Sequence, residues 1–295
     1  MRKHFDFLRR STFFLANGPM GDVIALCREL GFGHILLGEH TWSRASGWYE
    51  SSLPGGHGDL KRFVREAHKA NLLVSLHTRT TRVGNGDPLV EMPVHGELEV
   101  DGNLYYVDPY SKLQGEMAAR LVAVADLVLA DGLYLDGAET AARKYPDGIG
   151  AAITTCQNAV ITRLTRPMLM QSSSTLTTLF DWWCFKGQID HYIHKVKAGW
   201  EGTRAEWNEQ YIKYAQQAMA QGYPAQLGWI DVGHGQTHQG KPIEDQSPES
   251  LQQLCDWATD HNVPIVLQTT LEELDTHPKR DEIKAVIKKF HLVKE

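Results

Sequence analysis

The sequence predicts an α/β chain closed into a single (β/α)8 barrel of the TIM type. Three observations carry that expectation. A short apolar strand followed by an amphipathic helix recurs along the chain in eight units. The strand segments are nearly all apolar rather than alternating, as strands covered on both faces are. A length of 295 residues suits one such barrel and can bury a substantial core. A doubly wound open sheet is the competing arrangement. It is disfavoured because Asn17-Gly18-Pro19-Met20-Gly21, after the first strand, lacks the glycine spacing of a phosphate loop. No composition shift marks a boundary, so residues 1–295 are expected to form one domain.

The elements follow in order. Residues 11–16 (STFFLA) are the first strand, and residues 22–30 carry helical spacing with Val23, Leu26, Cys27 and Leu30 on one face. Gly31 ends that helix. Residues 34–38 (HILLG) are the second strand and lead to Glu39 and His40. Asp59 caps a helix to about residue 70, and residues 72–76 (LLVSL) are the third strand, ending at His77-Thr78-Arg79. A Gly-, Asp- and Pro-rich excursion at about 80–109 follows, with hairpin-like alternation over 97–107 and a turn at Asp101-Gly102. Ser111 caps the next helix, and residues 132–135 are the fourth strand. A helix over about 150–164, a fifth strand at 167–171 (PMLMQ) and a sixth at 180–185 (FDWWCF) come next. The remaining units are a helix over about 205–221, a strand at 225–230, a helix from Ser247-Pro248, a strand at 263–267 and a closing helix over 271–290.

Lys and Arg total 30 against 36 Asp and Glu, a net charge of −6. No basic field exists for nucleic acid or an anionic membrane to rest on, so neither is expected as a partner. No run of about 18 apolar residues is present to span a membrane. Cys27, Cys156, Cys184 and Cys255 form no CxxC and read as buried thiols of a reducing compartment. The first residues carry no signal-type apolar segment, which gives a cytoplasmic or periplasmic expectation. Oligomeric state is not legible in the sequence.

In a barrel, the residues just after each strand converge at one mouth. Here they include Glu39, His40, His77, Arg79, Asp136, Glu139, Gln171, Asp190 and Asp231, with Trp42, Trp182 and Trp229 beside them in sequence. Aromatic faces next to carboxylates suit sugars, whose C–H faces stack on rings while their hydroxyls bond acids. Glycoside hydrolysis needs two carboxyl groups, one ionised and one holding its proton. Asp136 is the candidate nucleophile because it ends a buried strand, where a carboxylate is costly to place, and Gly137 lets the chain turn after it. Asp190 is the candidate acid/base, with Asp181, Asp231 and Glu139 competing for the role. Glu39, His40, Trp42, His77, Arg79, Gln171, Trp182, Trp229 and Asp231 are the candidate substrate-binding residues. The Arg79 fork also suits a carboxylate or sulfate on the sugar.

The stretch Tyr134-Leu135-Asp136-Gly137-Ala138-Glu139 resembles the strand-four motif of the α-glucosidase/α-galactosidase clan of barrel glycoside hydrolases. The resemblance implies Asp136 as nucleophile, Glu139 as a supporting residue, and an acid/base Asp after strand six, which falls on Asp190. The Asn that commonly precedes the Glu is Ala138 here. The stretch also resembles the chitinase-type strand-four signature through Asp131-Gly132 and Asp136, but the acid of that signature falls on Ala138.

Simpler roles exist for each residue. Asp136 could cap the next turn, Glu139 sit in a solvated first turn, and Asp190 cap a helix starting at Tyr192. His34 and His261 lie on the strand-entry side and read as ordinary surface residues. His234 and His238 are four apart, but Gly233 and Gly235 argue against a metal-binding helix. Two other function classes compete with a carbohydrate-cleaving enzyme that needs no cofactor. One is a metal-dependent barrel hydrolase or isomerase using Glu39, His40, His77 and Asp136 as ligands. The other is a non-catalytic sugar-binding barrel.

Overall fold

A computed structural model describes residues 10–44, 46–84, 98–101, 104–138, 145–172 and 186–294. The elements run β1 (Thr12–Leu15), α1 (Val23–Leu30), β2 (His34–Leu37), α2 (Glu39–Trp42), α3 (Gly56–Lys69), β3 (Leu73–Arg79), β4 (Arg82–Gly84), β5 (Leu98–Asp101), β6 (Leu104–Val107), α4 (Lys112–Val128) and β7 (Gly132–Asp136). They continue as α5 (Ile149–Ile161), β8 (Leu169–Ser172), β9 (Lys186–Gln188), α6 (Tyr192–Lys197), α7 (Arg204–Ala220), β10 (Ala225–Asp231), β11 (Thr237–His238), β12 (Lys241–Pro242), α8 (Pro248–Asp260), β13 (Ile265–Thr269), α9 (Leu271–Thr276) and α10 (Arg280–Lys294). The chain is α/β and divides into two compact units, Met1–Leu36 with Ala70–Leu72 and Phe185–Glu295, and Leu37–Lys69 with Leu73–Cys184.

In the first unit, β1 pairs in parallel with β13, β13 with β10, and β10 with β9. Phe13, Leu15, Leu227, Ile265, Val266 and Leu267 are buried along these strands, which is what their unbroken apolar runs require. Helix α1 turns its Val23, Leu26, Cys27 and Leu30 face inward and stops at Gly31, whose φ of 83° is the left-handed cap. Helix α7 starts in a capping box between Thr203 and Glu206, and α8 starts at Ser247 with Pro248 in its first turn.

In the second unit, β7 lies between β3 and β8, parallel to both. Antiparallel β4, β6 and β5 form a small sheet. Val83 and Val107 from it pack on Leu113 and Met117 of α4. Ser111 caps α4 by accepting from the Gln114 N–H.

Four expectations meet a different structure. The closing helix over 271–290 is two helices: Pro278 cannot continue the helical hydrogen bonds, and His277 before it is extended, with ψ 128°. The third, fourth and seventh strands run one to three residues past their expected bounds, to Arg79, Asp136 and Asp231, so these polar residues are the last rungs of strands. Glu39 and His40 sit in the one-turn helix α2. His34 is buried rather than on the surface, bonded through Nδ1 to Thr12 Oγ1 at 2.9 Å. Burial, helped by the Arg10 charge, pushes its pKa down to about 3. The sixth strand expected at 180–185 lies outside the described residues. The described cysteines, Cys27, Cys156 and Cys255, are buried and in no disulfide. No helix among the described residues is long and apolar enough to cross a membrane.

Candidate active site

In the second unit, Asp136 is the C-terminal residue of β7 and stands opposite Arg79 of β3 in the ladder. Its backbone is fixed on both sides. Thr80 N–H donates to Asp136 O, Thr81 Oγ1 donates to Gly137 O at 2.8 Å, and Gly137 takes a φ of 76° that lets the chain leave sharply. The carboxylate meets His77 Nε2 at 3.2 Å through Oδ2. The His77 ring is stacked on Tyr134, with centroids 5.4 Å apart.

Beside it is a second, closed constellation. Glu39 accepts from Arg79 N at 3.1 Å, Arg79 Nη1 at 3.2 Å and Ser46 Oγ at 2.7 Å. Arg79 Nη1 also stands 3.0 Å from His40 Nε2. A guanidinium only donates, so His40 accepts there and is neutral. Burial, then the Arg79 charge, lowers the His40 pKa accordingly. The Glu39 side chain is 2% exposed and that of Asp136 is 26% exposed. Glu39 is therefore committed to holding Arg79, and Asp136 is the carboxylate of this group that a ligand can reach.

The first unit carries its own polar group. Asp190 follows β9, and its carboxylate receives Lys195 Nζ at 2.9 Å and faces His194 Nδ1 at 3.3 Å. Burial alone would raise its pKa. The bonds from His194 and Lys195 and the Lys195 charge outweigh burial and hold it well below the usual carboxylate range. Asp190 is thus a carboxylate in the free protein. Its main-chain carbonyl accepts from Trp207 Nε1 at 3.0 Å. His191 caps α6 by accepting from the His194 N–H through Nδ1.

Asp231 ends β10 and is buried. Its Oδ1 receives Arg204 Nη2 at 2.8 Å, and its Oδ2 has no hydrogen-bond partner, with His191 Nδ1 3.9 Å away. Arg204 is fully enclosed. Nε donates to Glu244 O at 2.8 Å, Nη1 to Asp231 O and Gln246 Oε1 at 3.2 Å each, and Nη2 also to Glu244 O at 2.7 Å. Its Cζ lies 4.5 Å from the centroid of the Tyr192 ring.

Of the residues expected to bind substrate, Glu39, His40, His77 and Arg79 come together with Asp136. Trp42 has its indole N–H on His77 O at 3.0 Å and its ring stacked on Tyr49, and it is fully buried. Its face is turned to protein rather than to a ligand. Gln171 is buried in β8, and Trp229 is buried in β10 with Phe14 edge-on at 4.9 Å. Glu139, Asp181 and Trp182 lie outside the described residues. Among the described residues, Glu39, His40, His77 and Asp136 do not form a group close enough to share one metal ion. Arg204 was not singled out from sequence, although a signal exists: an arginine in the first turn of a helix opposes the helix dipole unless a carboxylate holds it.

No family model matches the sequence, and no curated protein matches it. Solved structures do match in three dimensions. An α-galactosidase from Thermus thermophilus, in complex with p-nitrophenyl α-D-galactopyranoside, superposes with a TM-score of 0.64 at 14% identity over 94% of this chain and 61% of that one. A maltogenic α-amylase from Thermotoga neapolitana gives 0.64 at 15% identity, over 98% and 77%. A GH36 α-galactosidase from Geobacillus stearothermophilus gives 0.62 at 12% identity, over 97% and 42%. The chain therefore spans about three fifths of the Thermus enzyme and less than half of the Geobacillus one. At these identities the likeness is one of fold, shared with glycoside hydrolases.

Proposed function

We propose that the chain is a (β/α)8-barrel glycoside hydrolase acting on α-linked sugars with retention of configuration. The observation that carries the reading is Asp136: a partly exposed carboxylate, rigidly held at the C-terminal end of a parallel strand and bonded to His77. That is where barrel enzymes place reacting groups. The fold likeness to two α-galactosidases and an α-amylase supports the choice of α-linked substrates.

Asp136 would attack the anomeric carbon and form a glycosyl-enzyme. His77 Nε2 orients the attacking carboxylate, and the Glu39–Arg79–His40 group supplies a fixed polar wall for sugar hydroxyls. Asp190 takes the acid/base role. As found it is ionised, which suits activation of water in the second step. To protonate the leaving oxygen in the first step it must be parted from Lys195 by the substrate, because the acid has to hold a proton. Glu139 supports the nucleophile.

The experiment is hydrolysis of 4-nitrophenyl α-galactoside and α-glucoside by the chain and by Asp136→Asn. The reading expects turnover by the native chain and a fall of at least ~10³-fold in kcat for the variant, since the amide cannot form the ester. Equal activity of the two proteins overturns it.

A further inference from the structure

His234, Asp245 and His277 lie outside the group assigned above, all in the first unit. One ligand atom from each lies within 4.8 Å of the others. His234 Nδ1 is 2.7 Å from Asp245 Oδ2, and His277 Nε2 is 4.0 Å from the same oxygen. The two rings meet edge to face, with centroids 5.3 Å apart. The spacing of His234 and His238 is not what matters here. The partner of His234 comes from the turn between α9 and α10, more than forty residues on.

The backbone around the three side chains is braced. Gln246 N–H donates to Val232 O at 2.9 Å, and β11 and β12 close the intervening hairpin. Gln236 Nε2 donates to Glu273 Oε1 at 2.9 Å and ties this loop to α9. Lys279 N–H donates to His277 Nδ1 at 3.0 Å and sets the ring angle.

His277 supplies the observation that a plain His–Asp surface pair does not explain. It is 5% exposed, and its Nε2 has no partner in good hydrogen-bond geometry: Asp245 Oδ2 is 4.0 Å away, and the Gln246 main chain offers only a weak contact. A buried imidazole nitrogen so poorly satisfied is costly unless something occupies it.

We propose that His234, Asp245 and His277 bind one divalent transition-metal ion of the zinc class, with a fourth position left to water. Two imidazoles and one carboxylate favour zinc, cobalt or nickel over magnesium or calcium, which prefer all-oxygen sets. Tetrahedral ligand atoms on zinc bonds of about 2.0–2.2 Å stand roughly 3.3 Å apart. Binding therefore lengthens the His234–Asp245 contact and draws His277 in. It also displaces the proton from His277 Nε2. That proton moves to Nδ1, and the bond from Lys279 N–H is given up. The ion clips the loop after β10 to the turn before α10, and this role is independent of the glycosidase reading.

The test uses the full chain stripped with a chelator, titrated with ZnCl₂ by calorimetry and with CoCl₂ by visible absorption, with MgCl₂ as control. One equivalent of zinc is expected to bind, with tetrahedral-type cobalt bands and a higher Tm. Loss of a ligand costs at least what loss of an outer-shell partner does, about 10–100-fold in affinity. His234→Ala and His277→Ala should show that loss and His238→Ala should not. If His277→Ala fails to fold, the partly exposed His234 and Asp245→Asn carry the same comparison. Absence of stoichiometric zinc binding by the native chain overturns the proposal. So does binding that survives both His234→Ala and Asp245→Asn.

Discussion

Replacing Arg204 by methionine keeps an unbranched apolar stem, two atoms shorter, and removes the charge and all the side-chain donors. In the folded protein those donors serve Asp231, Gln246 and the Glu244 carbonyl, and both Arg204 and Asp231 are almost wholly enclosed. The substitution leaves the Asp231 carboxylate buried with no cation. His191 does not replace Arg204, because its Nδ1 lies 3.9 Å away and already accepts from a backbone N–H. Breaking a buried pair by removing one partner costs about 3–5 kcal/mol, a large part of a domain's stability of about 5–15 kcal/mol. Guanidinium unfolding followed by tryptophan fluorescence measures it. Asp231→Asn in the Arg204→Met background removes the stranded charge and should recover about 1–3 kcal/mol relative to additivity. A loss below about 1 kcal/mol for Arg204→Met, or strictly additive single substitutions, would refute the reasoning.

His34 is neutral when folded, with a pKa near 3, and protonates near its ordinary value of 6.5 when unfolded. Its contribution is complete above pH 6.5 and is lost as pH falls from there toward 3, at about 1.4 kcal/mol per pH unit. His34→Gln should flatten that acid limb in a pH series of denaturant melts, and parallel limbs would count against it. Lys195→Ala removes the cation that, together with the His194 hydrogen bond, holds the Asp190 pKa down. If Asp190 is the acid, the alkaline limb of kcat/KM should move to higher pH, and an unmoved limb takes the role from Asp190. Glu39→Gln keeps shape but removes the charge that fixes Arg79, and should cost about 1–3 kcal/mol of stability. Unchanged stability would mean that Arg79 is free to bind ligand anions.

The strand–helix alternation was readable because apolar runs bounded by glycine, proline and capping residues make local structure nearly unambiguous, as at Gly31 and at Ser247-Pro248. The candidate nucleophile was readable for the same reason: a carboxylate closing an apolar strand is a costly exception. Partners were not readable. Nothing local in Glu39 says that it will hold Arg79, forty residues away, rather than a sugar. Trp42 beside Glu39 reads as a stacking platform until its N–H is found on a strand carbonyl. Arg204 and His277 were missed because their partners come from distant loops, and pairing across such distances leaves no periodic trace. His34 misled because a histidine on the entry side of a strand looks solvated until Thr12 is placed beside it.

The claim that matters most is that Asp136 attacks the sugar. A fluorinated α-glycosyl substrate that accumulates the covalent intermediate, followed by proteolysis and mass mapping, tests it directly. A glycosyl adduct on the peptide carrying Asp136, absent in Asp136→Asn, is the predicted result. An adduct on any other residue, or turnover of an active preparation with no trapped adduct and inverted product, would contradict it.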